Sequence, residues 1–293
     1  MIKVSVPATS ANLGPGYDCL GIALDEYCTV TFEQIPQGLE ITGCEAGYCN
    51  EDNLIYQAFL KGMDHMKTSI GGLRMHVDTN IPYARGMGSS ATCIVAGLTG
   101  ANALCNHRMN KYEIFDLATQ MEGHPDNVAP AIFGALCVSF MEDGSPSMIR
   151  YGVKRDLIFV TMIPDFEVST KAAREVLPTQ MSYADAVYQM GRTAALAKAL
   201  EIGNALIISK ACKDKMQEPY RKQLIPAYDD VKNTCDALGA ITMFISGSGS
   251  TMMALTQSEE TANHIVKELS QTYPTWDFRL LHATYDGSKD EVI

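Results

Sequence analysis

The sequence predicts an α+β protein of two domains. Strand-like and helix-like segments are interspersed along 293 residues without strict alternation, which disfavours a doubly wound parallel sheet. The composition, 46% hydrophobic and 19% charged, suits a large buried core and excludes intrinsic disorder. A length near 300 residues suits about two domains, and Asp143-Gly-Ser-Pro146 marks a loop at a soft boundary between Met141 and Leu157.

In chain order, Ile2, Val4 and Val6 alternate with polar residues, the signature of a half-buried strand. Pro7-Ala-Thr-Ser-Ala-Asn-Leu-Gly-Pro-Gly-Tyr-Asp18 is too rich in Pro, Gly and small polar residues for the interior of an element. Leu20–Phe32 and Leu39–Thr42 read as strands. Asp52-Asn53 caps a helix with Leu54, Ala58 and Met63 among its apolar positions. Leu73, Met75 and Val77 alternate again. Gly86-Met-Gly-Ser-Ser90 opens an uncharged helix that reaches Cys105, and Lys111–Glu122 is a second helix stopped by Gly123. Val128–Phe133 follows a proline turn. Leu136–Met141 and Leu157–Ile163 read as buried strands, and Ser182 to about Lys213 as helix. Ala240–Ile245 and Met252–Thr256 are strands flanking Ser246-Gly-Ser-Gly-Ser-Thr251. A helix near Glu259–Leu269 and a strand near Phe278–Thr284 close the pattern.

Charge narrows the partners. Lys and Arg number 23 against 34 Asp and Glu, a net −11, so nucleic acid and anionic membrane surfaces are poor partners. The uncharged stretch Gly86–Cys105 carries Ser89, Ser90, Thr92, Thr99 and Asn102, which makes it a buried helix rather than a membrane span. Met1–Leu24 lacks the basic and apolar regions of a signal peptide. The nine cysteines are scattered without C-x-x-C, and the six histidines never fall at i, i+4. The expectation is reduced thiols in a cytoplasmic protein without zinc.

Three segments could carry chemistry. In Pro82-Tyr-Ala-Arg-Gly-Met-Gly-Ser-Ser-Ala91, Gly86 and Gly88 permit close backbone approach, and Ser89 and Ser90 sit where a helix N-terminus favours an anion. No acid lies between Gly86 and Tyr112 to oppose a phosphate. A dinucleotide fingerprint would want an acid about 20 residues on and glycines directly after a strand, but the first acid is Glu113 and Ile81–Arg85 intervene. A Walker loop is absent, since no Gly-Lys-Ser/Thr occurs. A tight turn with a capped helix is the plain alternative. In Glu122-Gly-His-Pro-Asp-Asn127, Glu122 could hold Mg²⁺ together with one serine hydroxyl. Asp126-Asn127 serves equally as a helix cap, and His124 as a surface histidine. Ser246–Thr251 makes either a hairpin turn or a second anion contact.

The order of these segments resembles the GHMP family of small-molecule kinases over essentially the whole chain. Pro7–Asp18, Gly123-His-Pro-Asp-Asn-Val-Ala-Pro130, Ser169-Thr-Lys-Ala-Ala-Arg-Glu-Val-Leu-Pro178 and Glu218-Pro-Tyr-Arg-Lys-Gln-Leu-Ile-Pro226 look like its members that act on L-homoserine. The resemblance implies a left-handed βαβ nucleotide-binding domain over residues 1–150 and a ferredoxin-like domain over 151–293, with the site between them. It implies ATP-dependent phosphorylation of the L-homoserine hydroxyl to O-phospho-L-homoserine, on the path to threonine. ATP would be met by Asn53, near the adenine, and by Pro82, Arg85, Gly86, Met87, Gly88, Ser89, Ser90 and Ala91. Mg²⁺ would be held by Glu122 and Ser89 or Ser90.

By the same resemblance, homoserine would be met by Asn12, Asp18, His124, Asn127, Thr170, Arg174, Arg221, Gly247, Ser248 and Gly249. An arginine fork suits a carboxylate and Asp18 suits an ammonium; without the family, Arg174 and Arg221 read as surface charges. Asp126, Asn127 and Glu122 would be the catalytic set, with Asp126 either a base or a holder of its loop. A homodimer is implied as possible. Two residues depart from the pattern: Ser250 follows the second loop glycine where relatives carry proline, and Met87 replaces leucine. A mevalonate- or sugar-directed kinase and a non-catalytic sensor are the competing readings. Glu122, Ser89 and Ser90, which a sensor would be expected to lose, are all present.

Overall fold

A computed structural model describes residues 1–293. The chain runs β1 (Ile2–Asn12), β2 (Gly16–Ile35), β3 (Gly38–Thr42), α1 (Leu54–His65), β4 (Gly72–Thr79), α2 (Ser89–Leu104), α3 (Lys111–Glu122), α4 (Val128–Phe133), β5 (Leu136–Glu142) and β6 (Ser145–Tyr151). It continues through β7 (Ile158–Ile163), α5 (Thr170–Glu175), α6 (Tyr183–Ile202), α7 (Ala205–Ala211), α8 (Glu218–Arg221), α9 (Tyr228–Ala237), β8 (Thr242–Ile245), β9 (Met252–Thr256), α10 (Glu259–Thr272), β10 (Asp277–Leu281) and β11 (Lys289–Val292).

Two sheets organise the molecule. The larger has the order β11-β1-β2-β4-β3, with β5 added on β2 and β6 on β5. Strand β2 is 20 residues long and serves two neighbours: Cys28–Ile35 pairs with β4, and Leu20–Ile22 pairs with β5. The smaller sheet has the order β10-β7-β9-β8, with every pair antiparallel. This is the fourth-first-third-second order of a ferredoxin-like βαββαβ unit, as expected.

The six residues of β7 are all buried because the small sheet is covered on both faces. Phe159, Phe244, Met253 and Leu255 join the core of the large sheet. Ile158, Val160, Met162 and Ile245 pack with Val231 and Cys235 of α9 and Ile265 and Leu269 of α10. The larger core is therefore continuous across residue 150.

Local chemistry explains most element ends. The Asn53 side chain accepts from the backbone N–H groups of Ile55 and Tyr56 and starts α1. Asn110 and Glu113 form a reciprocal capping box at α3, which ends on Gly123 at φ 92°. Helix α2 lies unusually close to α1: a Cβ on Gly97 would sit 2.2 Å from the Ile55 carbonyl. That approach is why an uncharged, glycine-containing helix belongs in this core. No helix is long and apolar enough to cross a membrane.

Several expectations are corrected. Strand β1 does not stop at Val6 but continues to Asn12 through Pro7, with register shifts after Pro7 and Ala11. The small polar residues are tolerated because Thr9 and Ser10 are fully buried and bonded to distant groups. Asp143-Gly144 is a two-residue hairpin turn with both φ values positive, so the segment read as a loop leads straight into β6. The helix from Ser182 breaks at Gly203, which is left-handed, and restarts on the Asn204 cap as α7. Helices α5, α8 and α9 and strands β6 and β11 went unread in the sequence.

Candidate active site

The β1–β2 turn, the loop before α2, the α3–α4 turn, the N-terminus of α5, α8 and the β8–β9 loop converge on a cleft of about 250 Å³. Asn12, Asp18, Gly86, Gly88, Ser89, Ser90, Glu122, His124, Asp126, Asn127, Thr170, Arg174, Arg221, Gly247 and Ser248 all line it, as do Ala11, Ala84 and Val168. Residues far apart in the chain are held together here by hydrogen bonds. Ser246 Oγ lies 2.8 Å from Ser10 Oγ and 2.5 Å from the Gly86 carbonyl. The Gly247 N–H donates to the Ala11 carbonyl at 3.1 Å.

One end of the cleft is built for an anion. Gly88 takes φ 68°, and a Cβ there would lie 1.9 Å from Thr9 Oγ1. Met87 is fully buried and anchors the loop. The free N–H groups at the start of the 16-residue α2 therefore face the cleft with no acid on their own helix. Ser90 Oγ donates to Glu122 Oε2 at 2.6 Å. Burial pushes the Glu122 carboxyl above the ordinary range; the Ser90 bond and the nearby His124 oppose the shift. A half-buried carboxylate beside a hydroxyl, with no lysine or arginine bonded to it, is the donor chemistry of a hard divalent cation.

The other end holds opposite charges. The Arg174 guanidinium grips Asp18 with two hydrogen bonds, at 3.0 and 3.2 Å, and also donates to the Tyr17 hydroxyl at 2.9 Å. Arg221 differs. It is 3% exposed, and its partners are all neutral: the Ala173 carbonyl at 3.0 Å, Gln217 Oε1 at 2.5 Å and the Gly247 carbonyl at 2.9 Å. Burial pulls its pKa below the ordinary arginine value. None of those bonds uses Nη2. A buried cation without a counter-ion, opening on a cleft, has the chemistry to take a carboxylate.

Between the two ends lies the α3–α4 turn. His124 Nδ1 is 2.5 Å from Asp126 Oδ1, which also accepts from the Asn127 backbone N–H at 2.8 Å. The hydrogen bond to Asp126 raises the His124 pKa, with burial opposing. Thr9 Oγ1 donates to Asn127 Oδ1 at 2.8 Å, which fixes the orientation of that amide. Asn12 and Asp18 both adopt positive φ, and Asn12 Oδ1 accepts from the Asp18 N–H at 3.0 Å.

Some candidate residues lie elsewhere. Asn53 is not in the cleft; its amide is committed to the α1 cap and to the Tyr48 carbonyl. Pro82, Met87, Ala91 and Gly249 are absent from the lining, and Met87 and Ala91 are fully buried. Arg85 turns away to the Pro164 carbonyl and to Glu167. Sequence reasoning missed Thr9, Tyr17 and Gln217. Tyr17 lay inside a quoted motif and could have been found there; Gln217 carried no signal at all.

The family model for the GHMP kinases N terminal domain matches residues 53–135, and that for the GHMP kinases C terminal matches 185–275. A homoserine kinase from Clostridium botulinum (strain Alaska E43 / Type E3) is 41% identical over 291 residues, covering 98% of each chain. The crystal structure of a homoserine kinase from Cytophaga hutchinsonii superposes with a TM-score of 0.88 at 29% identity, covering 99% of this chain and 97% of that one. L. major mevalonate kinase in complex with R-mevalonate shares the fold, with a TM-score of 0.77 at 17% identity over 97% of this chain and 96% of the other. The chain belongs to the GHMP kinase family, among the homoserine kinases.

Proposed function

We propose that the protein transfers the γ-phosphoryl group of ATP to the side-chain hydroxyl of L-homoserine, giving O-phospho-L-homoserine. The observation that carries the amino-acid substrate is Arg221, a buried guanidinium bonded only to neutral groups and facing the cleft. It receives the carboxylate, aided by Arg174, while Asp18 receives the ammonium. Such a zwitterion replaces the bidentate Asp18–Arg174 pair without leaving either charge unmatched. Asn12, Thr170, Gly247 and Ser248 close the pocket around it.

The glycine loop Gly86–Ser90 and the start of α2 receive the phosphates. Glu122 and Ser90 suit Mg²⁺, whose chemistry when bound is to neutralise charge on the transferring phosphoryl group. Asn127, fixed by Thr9, and His124, fixed by Asp126, orient the substrate hydroxyl between the two ends. Asp126 acts chiefly by positioning: its Oδ1 holds the His124 ring and the Asn127 backbone at the turn. A loose phosphoryl-transfer state requires alignment more than a strong base.

We divide the chain near residue 150 into a nucleotide half and a half carrying Thr170, Arg174 and Arg221. Nine unbridged thiols suit the reducing cytoplasm, where we place the reaction. The test is ADP release with Mg·ATP and L-homoserine, D-homoserine, L-threonine, L-serine, mevalonate or galactose. Selective turnover of L-homoserine is expected. Turnover of mevalonate or a sugar in its place would overturn the arginine assignment.

A further inference from the structure

An arginine that must bind an incoming carboxylate faces a conflict. Buried, it needs hydrogen-bond acceptors to hold its orientation, yet an acidic acceptor would cancel the charge it offers. Gln217 resolves that conflict. Its side chain is fully buried between residues of both halves of the chain. Oε1 accepts from Arg221 Nη1 at 2.5 Å and from Asn12 Nδ2 at 3.3 Å, while Nε2 donates to the Gly14 carbonyl at 2.9 Å. Only this orientation of the amide satisfies both sides, because the Gly14 carbonyl can only accept and the guanidinium can only donate.

We propose that Gln217 is a positioning and specificity-determining residue: it aims Arg221 and Asn12 into the cleft while leaving the guanidinium charge free for the substrate carboxylate. The proposal rests on the reading of the cleft as an amino-acid site. Its physical core is that glutamine and glutamate have nearly the same shape but differ in charge. A carboxylate at this place would keep the contact to Arg221 and make it a charge-assisted pair, so the incoming carboxylate would compete with a resident one. Backbone helps to fix the amide in place. The Gln217 N–H donates to Asp214 Oδ2 at 2.7 Å, and Gln217 immediately precedes α8, one turn before Arg221.

The test compares L-homoserine with L-homoserinamide, in which an uncharged carboxamide replaces the carboxylate, in the wild type, Gln217→Glu and Gln217→Met. Wild type is expected to prefer the carboxylate. Gln217→Glu raises KM for L-homoserine by about tenfold or more, leaves KM for ATP unchanged and erases most of that preference. Gln217→Met, which keeps the volume but loses the acceptor, raises KM for L-homoserine while the preference survives. A Gln217→Glu enzyme with wild-type KM and wild-type preference overturns the proposal. So does a Gln217→Met enzyme with unchanged KM, should the glutamate variant fail to fold. A wild-type enzyme that is indifferent to carboxylate or carboxamide overturns the underlying reading instead, before any variant is compared.

Discussion

Ser90 Oγ donates to Glu122 Oε2 at 2.6 Å, and this bond joins the first turn of α2 to the last residue of α3. It sets a serine beside the one cleft carboxylate that burial pushes toward the protonated form. Replacing Glu122 by Gln should lower the rate with Mg·ATP on the order of a hundredfold or more. The fold should not suffer, because an amide in that place no longer carries a desolvated charge. Rate assays paired with thermal unfolding check both halves. A Tm that drops along with activity would make Glu122 a structural residue.

The same bond separates two serines. Ser90→Ala should weaken use of Mg·ATP, while Ser89→Ala, which removes no side-chain bond to Glu122, should do less. Titrating Mg²⁺ at fixed ATP reads the difference. The reverse order would transfer the metal role to Ser89.

Arg221→Leu should raise KM for L-homoserine by tenfold or more, since a charge-assisted hydrogen bond contributes about 1.5–3 kcal/mol. KM for ATP should stay nearly constant, because the guanidinium touches Ala173, Gln217 and Gly247 and no part of the glycine loop. Steady-state kinetics with each substrate varied in turn is sufficient. An unchanged homoserine KM removes Arg221 from the substrate site.

His124 and Asp126 should make stability fall as pH rises. The hydrogen bond to Asp126 raises the His124 pKa in the folded state above its ordinary value of 6.5. The protonated imidazole is thus favoured by folding. Its contribution is fully present below 6.5 and is lost as pH rises through the raised value. Denaturant titrations across this range should show the wild type losing its advantage over His124→Gln with increasing pH. A difference independent of pH would mean that the pair is not charged in the folded protein.

Gly88→Ala should damage both fold and nucleotide binding. Its Cβ would meet Thr9 Oγ1 at 1.9 Å, and its φ of 68° costs a side chain about 1–2 kcal/mol before any clash. Loss of Thr9 from its place would also free the Asn127 amide. Chemical denaturation and nucleotide titration measure the two effects. Wild-type nucleotide affinity in a folded Gly88→Ala protein would exclude this loop from the phosphate site.

Helix α3 was legible to the residue because its start and stop are local: Asn110 with Glu113 at one end, Gly123 at the other. The strand beyond Pro7 was not, because what makes Thr9 and Ser10 tolerable inside a sheet lies 118 and 236 positions away, at Asn127 and Ser246. Strand β6 could have been found, since Asp143-Gly144 is the composition of a two-residue hairpin turn. The cleft was mostly legible through motifs, which name residue types that chemistry requires. Gln217 was not, since a buried amide that bridges two halves leaves no periodicity and no charge. Asn53 was read both as a cap and as an adenine neighbour; its hydrogen bonds describe the cap.

Strand β1, which ends in Asn12 and supports the whole substrate turn, is flanked by β2 on one side and by β11 on the other. Its register with β11 runs from Ile2 opposite Val292 to Ser5 opposite Lys289. A ribosome delivers these two partners far apart in time, with every other strand of both sheets made in between. Strand β1 leaves the exit tunnel with one edge open and keeps it open until β11 (Lys289–Val292) has been made. During that interval the nascent sheet is an unpaired template for other chains. Synthesis is thus an exposed interval for this sheet, and enzyme yield in the cell should depend on chaperone capacity more than the stability of the finished fold suggests.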